Sequence, residues 1–489
     1  MWTRFQKLPL AISIPTLLIV MLMIPSLHGF ISGDSHKGRS FFYAVLLGLF
    51  GLTFLRFSLQ GTVFPVHRRA QLWSLIAFFL GFPALLAIPL YEVSGTGQFI
   101  DAYLDIVSTV TTTGLPVFAP GSLSETLVIW RVSLGWASGF LIWVFAWSIF
   151  APLNLGGFEH LSACGEAMTQ SRTARRSGGR LPAEKFWREA LRLGPVYLWI
   201  TLAAALMLLI VSGDPSYAIL RAMATIATFG IEIPGHTGAG GITGEGILAV
   251  VMLFALSRST FSTVFARARK WRVTEDRELR MAAGLVLFAS LVLIAQGAQG
   301  LEGLRPRLEL IWGAFFTSLS FLTTTGLTSD YFPSGIVNLD PVEIILVGLA
   351  MIGGGVATTA GGIKLLRIFI LAGHSRAEVN RLITPSQVMS GQIESRSHDH
   401  HSAMLACVFL VLGAITLALT VSGSPVKEAL YLTLATVTNT GPLLPTGGGA
   451  QTLVMALPTQ AKLTLAAAMV LGRLEVLAIL ALLNPDIYR

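Results

Sequence analysis

The chain is 489 residues long, 53% apolar and 12% charged, with a mean hydropathy of +0.70, which excludes an ordinary soluble domain. Its formal charge of +8 is carried by Lys and Arg lying between apolar runs, so it reads as a topology signal and not as a nucleic-acid surface. Apolar runs recur from end to end and leave no room for a large soluble domain; Cys164 and Cys407 stand far apart in no metal-ligand spacing and read as free thiols.

A membrane span needs about 20 apolar residues. The first run, 8–31, follows Arg4 and Lys7 in the manner of a secretory signal. It is longer than a signal core, lacks a small-x-small cleavage site and ends at His28-Gly29, so a retained transmembrane helix is expected. Further crossings are predicted near 41–62, 70–92, 126–152, 190–212, 246–266, 280–298, 341–374, 402–422 and 457–484. Between alternate pairs lie the shorter segments 100–110, 216–227, 311–322 and 426–437, of re-entrant and not spanning length.

Each short segment runs into a Thr/Gly-rich tetrapeptide: Thr111-Thr112-Thr113-Gly114, Ala227-Thr228-Phe229-Gly230, Thr323-Thr324-Thr325-Gly326 and Thr438-Asn439-Thr440-Gly441. The glycines are spaced by 116, 96 and 115 residues, so one unit is repeated four times. The expected fold is an all-α polytopic membrane protein, with four parallel span–pore-loop–span repeats around a central pore and two leading transmembrane helices. The leading helices occupy 1–69, and the repeats 70–180, 181–275, 276–395 and 396–489. Each repeat holds two full crossings, so all four loops face one side and can close around an axis.

Charge fixes the side. The links 156–192, 257–280 and 376–396 carry a concentration of Arg and Lys, which makes them cytoplasmic and turns the loops outward. Glu92, Asp101, Asp214, Glu232, Glu245, Asp330 and Asp340 then lie on the outer side. They form either an acidic vestibule that concentrates cations or a scatter of solvated acids.

The loops suit an alkali cation. Glycine permits positive φ and lets carbonyls turn toward an axis, threonine adds a stiff residue with an acceptor hydroxyl, and rings of carbonyls replace a cation's hydration shell. The half-helix before each loop aims its partly negative C-terminus inward, favouring a cation over an anion. The second loop departs from the pattern with Phe229 in a Thr position and Glu232 after Gly230, and Pro442 follows Gly441 in the fourth. One glycine per loop implies a short coordinating stack and imperfect selectivity.

Residues 353–362 interrupt an apolar span with five glycines, Gly353, Gly354, Gly355, Gly361 and Gly362. Such density breaks a helix and points to a cavity-lining segment, with close helix contact through small residues as the plainer alternative. Arg473 lies inside the last apolar run, where an arginine faces a partner or water; Glu475, two residues on, does not share its face. Lys364 and Arg367 are read as snorkelling residues, and Arg131 as an interfacial anchor. His398, Asp399, His400 and His401 form a juxtamembrane run without a second ligand cluster.

At these motifs the chain resembles the Trk/Ktr/HKT superfamily of potassium transporters, and most closely its bacterial Trk-type membrane subunits. The resemblance rests on the four loops, on Gly353-Gly354-Gly355-Val356-Ala357-Thr358-Thr359-Ala360-Gly361-Gly362-Ile363-Lys364-Leu365-Leu366-Arg367, and on Leu471-Gly472-Arg473-Leu474-Glu475-Val476 with the Asn-Pro-Asp-Ile-Tyr-Arg tail. It implies inward potassium conduction, down the electrochemical gradient or with a coupled ion, through a selectivity filter of the four tetrapeptides. It also implies a gate built from the 353–362 loop, with Lys364 and with Arg473 in the pore beneath the filter. Ala360 stands where many relatives carry glycine, which stiffens the loop. A homodimer in the bacterial inner membrane is implied, with cytoplasmic termini and a cytosolic ring of nucleotide-binding regulatory subunits; potassium is the substrate and the chain itself takes no cofactor. A sodium-coupled or weakly selective transporter is the alternative within the same fold. An intramembrane enzyme is the alternative from another class, but the chain carries no P-loop, no HExxH and no nucleophile–base pair.

Overall fold

The computed structural model describes residues 10–58, 68–95, 97–119, 121–151, 182–233, 240–256, 277–298, 303–333, 340–383, 395–443 and 449–474. Cys164, Glu475, the C-terminal tail and most of the basic links lie outside the described residues. Two leading spans come first: α1 (Leu10–Met21) and α2 (Met23–Ile31), which together make the first, and α3 (Ser35–Ser58). The tight turn between α1 and α2 sends the Leu22 amide to the Ile19 carbonyl at 3.1 Å. The apolar sides of α1 and α2 are buried against α3, α4 and α6.

Four units follow in chain order. The first is α4 (Arg68–Ser94), the short α5 (Phe99–Val110) and α6 (Glu125–Phe145), which ends in a π-helical turn at Ala146–Phe150. The second is α7 (Pro182–Ser212), α8 (Pro215–Ile226) and α9 (Gly241–Leu253). The third is α10 (Arg277–Gly297), α11 (Leu304–Leu322), α12 (Asp340–Ile352) and α13 (Leu365–Ile383). The fourth is α14 (Ser395–Val421), α15 (Val426–Val437), α16 (Gly449–Ala456) and α17 (Thr459–Leu474). Among the described residues six helices are long and apolar enough to cross a membrane, and α9, α12 and part of α14 are shorter apolar helices.

The short helices begin and end where local chemistry dictates. Asp214 caps α8 by accepting from the Ser216 and Tyr217 amides at 2.8 and 3.3 Å, with Pro215 in the first turn. In each unit the first span lies against the short helix, as in α4–α5, α7–α8, α10–α11 and α14–α15. Contacts between units run in cyclic order: α6 to α8, α9 to α11, α12 to the short 3-10 turn Gly441–Leu443, and α17 back to α5. Among the spans α6 is deeply buried, with Trp130 packed on Phe41 and Trp143 on Tyr197, both tryptophans fully enclosed.

The run 341–374 is broken where its glycine density predicts: α12 and α13 are separated by a non-helical segment from Gly353 to Lys364. Two other expectations need revision. Within the run 246–266 the helix ends at Leu253, and Phe254, Ala255 and Leu256 turn through i→i−3 bonds, while 257–266 lie outside the described residues. The third short helix starts at Leu304, seven residues before its predicted position; there an exposed Arg305–Glu309 pair at 3.0 Å, one turn apart, extends the helix toward its N-terminus. His398–His401 fall within the first turns of α14.

Candidate ion pathway

The four tetrapeptides share one backbone. Their first residues, Thr111, Ala227, Thr323 and Thr438, are the C-caps of α5, α8, α11 and α15, with φ of −83°, −77°, −79° and −81°. Their second residues, Thr112, Thr228, Thr324 and Asn439, are left-handed, with φ of 52°, 51°, 58° and 53°. The third amide then reaches back five residues: Thr113 to Ser108, Phe229 to Ala224, Thr325 to Ser320 and Thr440 to Ala435, at 2.8–2.9 Å. This is the left-handed C-cap that helices usually complete with glycine. Here it is built three times with threonine and once with asparagine, against the steric preference of a side-chain-bearing residue.

A second symmetry lies within the first. The Leu115 and Leu327 amides donate to the Ser108 and Ser320 hydroxyls at 2.7 and 2.6 Å. Thr111 pairs with Thr113 at 2.7 Å, and Thr323 with Thr325 at 3.0 Å, through their hydroxyls. Gly114 and Gly326 have positive φ, of 75° and 77°, whereas Gly230 and Gly441 do not. Loops one and three therefore match closely, and loops two and four are variants.

The loops meet in a ring. A Cβ placed on Gly114 would stand 3.1 Å from the Gly230 carbonyl oxygen, and one on Gly230 1.8 Å from that of Thr325. One on Gly326 would stand 2.9 Å from Pro442, and one on Gly441 2.3 Å from the Gly114 carbonyl carbon. The circuit closes with a bond from the Gly441 amide to the Thr113 carbonyl at 2.7 Å, and from Asn439 Nδ2 to Thr113 Oγ1 at 2.9 Å. Every residue of the four tetrapeptides is buried.

The glycine-rich segment docks on this ring. Its ends are pinned together by Ile363 N to Met351 O and Lys364 N to Ile352 O, both at 2.9 Å, so residues 353–362 project as a loop. Gly353 and Gly362 approach so closely that a Cβ on Gly362 would lie 2.6 Å from the Gly353 Cα. The Gly361 amide donates to Thr324 Oγ1 at 2.7 Å, and Thr228 Oγ1 to the Thr359 carbonyl at 3.0 Å. A Cβ on Gly361 would stand 2.1 Å from the Thr438 carbonyl oxygen. On the far side the Gly355 amide donates to the Ala255 carbonyl, and the Val356 amide to Glu278 Oε1, each at 3.0 Å.

Arg473 completes the contact with the first loop. Its Nε donates to the Thr111 carbonyl and its Nη1 to the Thr359 carbonyl, both at 2.7 Å, and its Nη2 bonds Thr112 Oγ1. One guanidinium thus ties the glycine loop to the ring. A small cavity beside it is lined by Gly361, Gly362, Lys364, Gly472 and Arg473 with Ile142 and Phe150. Lys364 does not snorkel: it is buried, left-handed at φ 87°, and its ammonium donates to the Ala360 carbonyl at 2.5 Å. Arg367 is buried as well.

Several ionisable residues stand elsewhere than expected. Arg131 is not an interfacial anchor; it is buried in α6 and pairs with the wholly buried Asp105 of α5 at 2.6 Å. Asp101 is a buried partner of Lys462 at 2.6 Å and no vestibule acid. Glu245 is also buried, and accepts from Trp312 Nε1 at 2.7 Å, from the Ser329 hydroxyl and from the Asp330 amide. Glu92, Glu232 and Asp330 are exposed. Asp101 and Asp105, one turn apart on a short helix inside an apolar chain, are the signal that marks both carboxylates as needing buried partners, though not which cations those are.

Comparison with known proteins agrees with this architecture. The TrkH family, described as Cation transport protein, matches residues 306–485. The Trk system potassium uptake protein TrkH of Escherichia coli K12 is 29% identical over 421 residues, covering 82% of each chain. TrkI of Halomonas elongata is 26% identical, covering 85% of this chain and 82% of its own. The crystal structure of the potassium transporter TrkH from Vibrio parahaemolyticus shares the fold, with a TM-score of 0.81 over 97% of both chains at 23% identity. Over residues 306–485 the chain thus matches the TrkH family of cation transport proteins, and over most of its length it is similar to Trk potassium uptake proteins.

Proposed function

We propose that this chain is a potassium uptake protein in which K+ crosses the ring of Thr111–Gly114, Ala227–Gly230, Thr323–Gly326 and Thr438–Gly441. The observation that carries the reading is the cyclic closure of four equivalent left-handed loops. Non-helical backbone at membrane depth is tolerated where it is enclosed by protein or lines a wet path. Four helix C-termini converge on the ring, which favours a cation over an anion. The choice of potassium follows the names of the relatives.

The 353–362 loop with Lys364 and Arg473 is the gate in this reading. It sits against all four tetrapeptides, and the Arg473 charge opposes a cation leaving the ring. Passage requires the loop and the guanidinium to move together, because Arg473 holds the Thr359 carbonyl. The repeats are 70–180, 181–275, 276–395 and 396–489, with 1–69 as the leading pair. The loops face outward across a bacterial inner membrane and the termini lie in the cytoplasm. The working assembly is a homodimer whose basic inner links dock a cytosolic nucleotide-binding subunit.

The test is rubidium uptake into proteoliposomes, competed with K+, Na+ and Li+, for the native protein and Gly326→Ser. Strong competition by K+, weak competition by Na+ and a changed ratio in the variant are expected, because a side chain at Gly326 meets Pro442 and an unfavourable φ. Equal competition by Na+ would leave a general alkali-cation pathway. Absence of uptake even with the regulatory subunit added would remove the pore reading.

A further inference from the structure

Outside the ring, three of the four short helices are fastened to the preceding unit by a specific side-chain bond. Glu245 of α9 accepts from Trp312 of α11 at 2.7 Å. Glu343 of α12 accepts from the Tyr431 hydroxyl of α15 at 2.7 Å. Lys462 of α17 pairs with Asp101 of α5 at 2.6 Å, with both side chains 4% exposed. Each bond crosses a junction between units, from two to three, three to four and four to one.

The remaining junction, from one to two, is fastened differently. A Cβ on Gly135 of α6 would stand 2.8 Å from the Phe229 ring, and one on Gly139 2.8 Å from the Ala227 Cβ. Phe229, the residue that breaks the threonine pattern, therefore fits its ring against a glycine-lined surface of α6.

We infer that these four fasteners set the aperture of the ring and are positioning residues for ion selection, an inference that rests on the filter reading above. A short helix is a stiff rod, and its loop is its C-terminal end. Asp101, Trp312 and Tyr431 lie seven to eleven residues before the loops, or roughly 10–17 Å along the axis. Holding that point against the next unit fixes the tilt of the rod, and with it the distance between facing carbonyls. Buried ion pairs contribute little net stability compared with apolar replacements, but they tolerate only one geometry. That is the property an aperture of fixed width needs.

Stability and selectivity separate in the experiment. Rubidium uptake would be competed with Na+ in vesicles holding the native protein, Tyr431→Phe, Lys462→Met, the double variant Asp101→Asn/Lys462→Met, Gly326→Ser and the surface control Glu309→Gln. Tyr431→Phe removes one oxygen and should raise Na+ competition by about threefold, as loss of a single hydrogen bond's discrimination implies. Lys462→Met should lower thermal stability as well as selectivity, because it leaves Asp101 buried without its partner. The double variant should recover stability and still admit Na+, which a merely structural pair would not do. Glu309→Gln should match the native protein.

If Lys462→Met does not fold, Tyr431→Phe and the double variant decide the matter. A native Na+ ratio in both, with Gly326→Ser altered, overturns the fasteners alone. A native ratio in Gly326→Ser overturns the filter and this inference with it.

Discussion

Arg473 places three groups of donors on the ring and its loop, and it is 6% exposed. Replacing it with methionine keeps most of the volume and removes both the positive charge beneath the ring and the link to the Thr359 carbonyl. Arg473→Met is therefore expected to raise rubidium uptake by about tenfold, the equivalent of ~1.4 kcal/mol; unchanged uptake would take the guanidinium out of the gate. The Asp105–Arg131 pair makes a different demand. Asp105→Asn leaves a guanidinium buried without its counter-charge, at a cost of about 3–5 kcal/mol, while removal of both charges in Asp105→Asn/Arg131→Met is near neutral. Thermal unfolding in detergent checks this: the single variant should melt well below the native protein, and the double variant close to it. A double variant as damaged as the single one would mean that the pair is not what holds α5 to α6.

At the scale of the element, the glycine loop depends on close approach more than on flexibility. Gly361→Ala drives a Cβ into the Thr438 carbonyl at 2.1 Å, against backbone that cannot give way cheaply. The loop should lift from the ring and uptake should rise, with the competition ratio of K+ to Na+ unchanged; a changed ratio would place Gly361 in ion selection instead. The four tetrapeptides and this loop were legible in the sequence because repetition and glycine density are properties of the chain itself. Asp105–Arg131 and Asp101–Lys462 were not, because the partners sit on different helices and nothing in a run of residues marks which buried carboxylate meets which cation. The left-handed second residues were hidden for a related reason. Threonine is a poor left-handed residue, so local preference pointed away from a conformation that neighbouring loops impose. The early start of α11 was missed because hydropathy marks the apolar part of a helix and not its charged first turns.

For the whole molecule, the parallel arrangement of four units commits the chain to one orientation. All four tetrapeptides follow the C-termini of short helices; in the proposed parallel arrangement these enter from the same side, so a single marker on a loop reports the side of every ring residue. Ser122 follows the first tetrapeptide in an exposed turn, and Val379 is exposed on α13 beyond the glycine loop. The proposed topology puts Ser122 outside and Val379 inside, since α13 leads toward the basic link 376–396. In a background with Cys164 and Cys407 replaced by serine, Ser122→Cys should react with a membrane-impermeant maleimide on intact cells. Val379→Cys should react only after the membrane is permeabilised. The reverse pattern would invert the molecule, placing the ring toward the cytoplasm and the glycine loop with Arg473 on its outer side. Uptake would then require an ion to meet the Arg473 charge before the ring of carbonyls, an order that repels the cation where it should be captured.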